Sequence, residues 1–180
     1  INVINAHRVV NIGAQTVKAK GSAQKAKERI LTEKQAPKLD SRTDSVTSLS
    51  ARLKNKDWVK RQAAIEGLAN FEDDSEALHL ILKALADKDH HVRYAAVKAL
   101  KNFSANLVIH GLMQALHDNE ALVSIAAADG LTEKGQMSLP GLIEALGDDS
   151  VNIRGLAVEA LGNIGHPSAV DPLIALLDDY

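Results

Sequence analysis

The stretch 87-DKDHHVRYAAVKALKNF-103 returns along the chain in recognisable form. Its apolar or small residues are Val92, Ala95, Ala96, Ala99, Leu100 and Phe103, the i, i+3, i+4, i+7, i+8, i+11 spacing of a helix with one buried face. The same register recurs as Val123, Ala126, Ala127, Gly130, Leu131, and again as Ile153, Leu156, Ala157, Ala160, Leu161, Ile164. Upstream it reads Ala63, Ala64, Gly67, Leu68, Phe71. A second helical pattern alternates with the first: Val46, Leu49, Leu53; Leu78, Ile81, Leu82, Leu85; Ile109, Leu112, Met113, Leu116; Leu139, Leu142, Ile143, Leu146; Val170, Leu173, Ile174, Leu177. Its closing leucine moves from 53 to 85, 116, 146 and 177, in steps of 32, 31, 30 and 31.

Two helices per unit at a near-constant period of about 31 predict an all-α, right-handed α-solenoid of stacked hairpins. One hairpin buries too little surface to stand alone, and its neighbours supply the missing walls. Small residues at Ala95, Ala96, Ala126, Ala127 and Gly130 let helix axes approach at the short end of the usual ~8–10 Å. Two residues past each closing leucine stands Asn55, Asp87, Asp118, Asp148 or Asp179, a short side chain able to accept turn N–H groups and cap the next helix. Arginines 61, 93 and 154 keep one place in the first helices. Their spacing from the turns predicts a bidentate, partly buried ladder between repeats, built from Asp87, Arg93, Asp118, Asp148 and Arg154. Ser124 stands where the arginine belongs, and Lys60 and Lys134 interrupt the apolar register, so the third hairpin should be the least regular.

Residues 46–180 hold this array, and residues 1–45 read as basic N-terminal helices, a degenerate repeat or a cap. Within the latter, 22–35 is a helix capped by Ser22, and NIG at 11–13 echoes NIG at 163–165. Hydrophobic residues make up 46% of the chain but aromatics only 3%, which suits Ala/Leu helices better than a β-sandwich. The absence of cysteine excludes disulfides and thiolate chemistry. No apolar run approaches the ~20 residues of a membrane span. The chain begins at Ile1 without a signal-like pattern and reads as a trimmed piece of a longer, cytoplasmic protein. Its net charge of −2 divides unevenly: residues 1–60 carry 13 Lys/Arg and 5 Asp/Glu (+8), residues 61–180 carry 8 and 18 (−10).

The pattern D-x-D-x-x-VR-x-AA-x-x-AL, present as DKDHHVRYAAVKAL and more loosely as DDSVNIRGLAVEALGNIG, resembles the HEAT-like repeats of the phycobilisome lyase type. The resemblance covers about 46–180 and implies an adaptor, a chromophore lyase subunit or an enzyme scaffold. In such solenoids the second helices line the concave surface. Their non-core positions then form rows: Thr47, His79, His110, Pro140, Asp171; Ser48, Leu80, Gly111, Gly141, Pro172; Ala51, Lys83, Gln114, Glu144, Ala175. The partner-binding candidates are His79, Leu80, Lys83, His110, Gly111, Gln114, Gly141, Glu144 and Asp171, with the two glycines expected to leave a low floor.

Other chemistry finds less support. His79 and His110 lie one repeat apart, and His90, His91 and His117 gather near inter-repeat turns, but a metal needs three or four convergent ligands. The HEAT-like enzyme that hydroxylates deoxyhypusine uses repeated His-Glu pairs, and this chain has no His-Glu dipeptide. HEAT-like DNA glycosylases raise nucleic acid as a ligand, yet the array is acidic and its candidate rows offer one lysine. No Gly-rich phosphate loop, GxSxG or cysteine nucleophile is present. The expectation is therefore a non-enzymatic protein-binding module without cofactor or metal, able to self-associate end to end through its last hairpin. The alternative is a bilin (tetrapyrrole) lyase or isomerase subunit, for which Trp58, Tyr94 and Tyr180 are the few ring-bearing candidates.

Overall fold

The computed structural model describes residues 44–104 and 106–178. All of them belong to a unit spanning 39–180. The helices expected within residues 1–43, and the turn residue Asp179, lie outside the described residues. The described chain is helical throughout: α1 (Val46–Arg52), α2 (Trp58–Leu68), α3 (Ser75–Ala84), α4 (His90–Leu100), α5 (Asn106–Leu116), α6 (Ala121–Lys134), α7 (Leu139–Ala145), α8 (Val151–Ile164) and α9 (Val170–Asp178). Short 3-10 turns at Gly135–Ser138 and Pro167–Ala169 lead into α7 and α9.

Helices α1 to α4 start where a short polar side chain takes the first free N–H groups. Ser45 accepts from Ser48 N, Asp57 from Val59 N, Asp89 from His91 N, and Asp74 from both Glu76 N and Ala77 N. The turn column does related work one step earlier than the sequence suggests. Asn55, Asp87, Asp118 and Asp148 each accept the N–H two residues on, at 2.8–2.9 Å, so they brace the turn and leave the N-cap position to residues 57, 89, 120 and 150, of which Asp57 and Asp89 cap with their side chains.

The expected α-solenoid is what forms. Helices α2, α4, α6 and α8 stand side by side as one layer, and α1, α3, α5 and α7 each pack against the helix that follows. Alanine is why the first layer closes so tightly: Ala64, Ala96 and Ala127 are fully buried, as are Val92 and Val123. The second helices make far looser contact with one another.

Lys134 has a definite task despite breaking the apolar pattern. Its Nζ donates to the carbonyls of Lys101 (2.8 Å) and Phe103 (2.7 Å), closing the C-terminal end of α4. The next residue, Gly135, has φ +58° and starts the 3-10 turn, a backbone region that favours glycine. This is the irregularity that the sequence places near the third hairpin.

Candidate functional site

The arginine column links neighbouring repeats through forked pairs. Arg61 donates Nε and Nη2 to Asp87, both at 2.7 Å, and Arg93 does the same to Asp118 at 2.6 and 2.8 Å. The third nitrogen turns back to its own repeat: Arg61 Nη1 donates to the carbonyls of Asn55 and Lys56, and Arg93 Nη1 to that of Asp87. Each guanidinium therefore fastens two turns at once. The side chains are well covered, 5% and 15% exposed in the first pair and 12% and 8% in the second. Burial pushes the Asp87 and Asp118 carboxyls up, but the arginine hydrogen bonds, a turn N–H and nearby positive charge outweigh it. Both groups sit below the ordinary carboxylate range.

The rung at Asp148 differs. Arg154 Nη1 donates to the backbone carbonyls of Asp148 and Asp149, while the Asp148 carboxylate accepts from His117 Nε2 at 2.9 Å. The partner expected for that carboxylate would come from position 124, where serine stands; its buried hydroxyl donates to Ala121 O at 3.2 Å instead. His117 reaches across from the end of α5, its Nδ1 against Met113 O at 3.1 Å. The hydrogen bond to Asp148, with help from the Met113 carbonyl, raises the imidazole above its ordinary value. The N–H of Ser150, and then His117, lower Asp148.

A cleft of about 870 Å³ opens at this rung between the N-terminal ends of α6 and α8. Ser124 lies in its wall, with Asp118, Asp148, Asp149 and Glu159 around it. Ile125 (48% exposed) and Val151 (68%) form its apolar shoulders. Apart from Asp118 and Asp148, sequence reasoning named none of these residues as functional. The available signal was the serine in the arginine column.

The second-helix candidates separate into two groups. His79, Lys83, His110, Gln114, Glu144 and Asp171 are exposed, and Leu80 is half-buried. Leu80 and Lys83 line a groove of about 540 Å³ between α1 and α3, bordered by Lys54, Lys56 and Lys88. The two glycines are packing residues and not an open floor. A Cβ on Gly111 would meet Leu82 Cδ2 at 2.5 Å and Leu85 Cδ1 at 3.2 Å, and one on Gly141 would meet Met113 Sδ at 3.0 Å. They admit the neighbouring helix, leaving no room there for a partner.

Asp89, His90 and His91 lie close enough together to suggest an ion site. Asp89 Oδ1 already accepts from the His91 N–H and faces its ring Nδ1, both at 3.0 Å. The His91 ring stacks on Trp58 (centroids 4.2 Å apart) and against His90 (4.0 Å). These groups cap α4 and join it to α2. Among the described residues, neither groove is lined by a phenylalanine, tyrosine or tryptophan. No helix is long and apolar enough to cross a membrane among the described residues.

Solved structures confirm the architecture. The complex of CpcE and CpcF of phycocyanin lyase from Nostoc sp. PCC7120 aligns with a TM-score of 0.58 and 25% identity, over 78% of this chain and 60% of that one. Human deoxyhypusine hydroxylase in complex with glycerol gives 0.57 and 19%, over 69% and 45%. An engineered protein gives 0.50 and 20%, over 73% and 67%. This chain thus spans 60% of the length of the lyase chain it matches. No curated protein sequence matches it. A family model of HEAT repeats matches residues 46–132 and 109–180, which together take in the whole ladder and both grooves. The chain belongs to the HEAT repeat family.

Proposed function

We propose that the array is a protein-interaction module that holds a partner on the face formed by its second helices. The groove between α1 and α3 carries this reading. It opens at Leu80 and Lys83, and Lys54, Lys56 and Lys88 at its border favour an acidic segment. His79, His110, Gln114, Glu144 and Asp171 continue the face as exposed positions outside the core. The likeness to a complex of two lyase proteins also supports a protein partner. Affinity capture from native extract with the full chain tests the assignment. Lys83→Glu should lower recovery of the partner severalfold at unchanged melting temperature. Lys98→Glu, on the exposed side of α4, should not. A partner released only by Lys98→Glu would move the binding face to the other layer.

The same likeness supports a second reading, a bilin lyase or isomerase subunit. A tetrapyrrole favours aromatic walls, and Trp58 is committed to the His91 stack. Titration with a free bilin decides it: a red-shifted, saturable absorbance change would favour this reading over the scaffold.

A further inference from the structure

We propose that the cleft at the broken rung receives an arginine side chain from the partner protein, whose guanidinium occupies the space that Arg61 and Arg93 fill at the rungs before it. The template lies within the molecule. At both intact rungs a guanidinium forks onto the next turn's aspartate and donates its remaining nitrogen to a carbonyl six residues before its own position. For position 124 the corresponding groups are the Asp148 carboxylate and the Asp118 carbonyl. Ser124 is too short to join them and bonds within its own helix. The planar fork matches this arrangement, whereas an ammonium would satisfy one part of it.

Charge and shape favour the same occupant. Asp148, Asp149 and Glu159 line the cleft, which contains no lysine or arginine. Its one basic group is His117, which holds Asp148 from a half-exposed position and can swing away as the guanidinium arrives. Ile125 and Val151 offer apolar contact to the residues on either side of the incoming arginine. The inference rests on the reading of this chain as a partner-binding module and adds a second contact with its own chemistry.

The test uses the full chain and N-acetylarginine methylamide as probe, followed by amide chemical shifts. Saturable shifts at Ser124 and at residues 148–151 are expected. The lysine analogue should bind roughly tenfold more weakly, since a point charge replaces a two-pronged fork, and the neutral citrulline analogue should not bind. Ser124→Arg supplies the missing guanidinium in cis, so it should abolish the response and raise the melting temperature. Should that variant fail to fold, Asp148→Asn serves, and it too should abolish binding. A citrulline response equal to that of arginine, or a response that survives Asp148→Asn, would overturn the proposal. So would tighter probe binding once Arg8, Arg29 and Arg42 are replaced by lysine, which would make the chain's own N-terminal segment the occupant. A chain that ignores the probe yet loses its partner through Lys83→Glu refutes this inference and leaves the proposed function standing.

Discussion

The rungs at Asp87 and Asp118 and the rung at Asp148 occupy equivalent places in one stack, yet they are built differently. At the first two, a well-covered guanidinium joins two turns, and the groove between α1 and α3 borders the first of them. At the third, a half-exposed imidazole substitutes, and a cleft opens beside it. A repeat array is stable through nearest-neighbour interfaces, so one weakened interface can be tolerated where the others are strong. The comparison suggests where such a fold can place function: at the repeat that departs from its own consensus.

Removing an intact rung is the severest way to test this difference. Arg93→Ala leaves the Asp118 carboxylate, 8% exposed, without its guanidinium. The loss should be about 3–5 kcal/mol of unfolding free energy in urea, with Ser124→Ala staying within about 0.5 kcal/mol. Equal effects at the two sites would erase the distinction between the rungs.

Packing gives the next test. Gly111 touches Leu82, so Gly111→Leu should cost about 1–3 kcal/mol or more through overpacking. Gly155 lies in α8 at the edge of the cleft, and a Cβ there would meet nothing within 4 Å. Gly155→Ala should therefore stabilise by about 0.5–1 kcal/mol, the gain in helix propensity. Thermal melts of the two variants should move in opposite directions.

The smallest expected effect is that of pH. His117 is raised above its ordinary value of 6.5, so the stability it contributes is fully present below that pH and fades as pH rises through the folded value. The Asp87 and Asp118 carboxyls are lowered. Their contribution is present above 3.8 and is lost only as acid protonates the folded form below that value. Between pH 6 and 9 the wild-type melting temperature should therefore decline slightly, and in His117→Gln that decline should vanish. A decline that persists in His117→Gln would assign it to another group.

Much of this was legible in the chain itself. The Ala/Leu register places Ala96, Leu100, Ala127 and Leu131 in the core, and all four are buried. The place of arginine in the repeat announced an ionic ladder, and the serine at 124 marked the exception. The face of the second helices was harder to read. Exposure of His79 or Lys83 follows from periodicity, but Gly111 and Gly141 show the same periodicity and are used for helix contact. A glycine left for a ligand and one left for a neighbouring helix look alike in a sequence.

The sequence alone determined the repeat class, its period and the positions of its core, because each depends on spacing within one or two helices. Tertiary structure alone decided which layer packs closest, what the glycines admit, and that His117 serves Asp148 in place of an arginine. Those depend on side chains about thirty residues apart meeting across an interface. Their distances are set by how the repeats stack, and no local pattern encodes them.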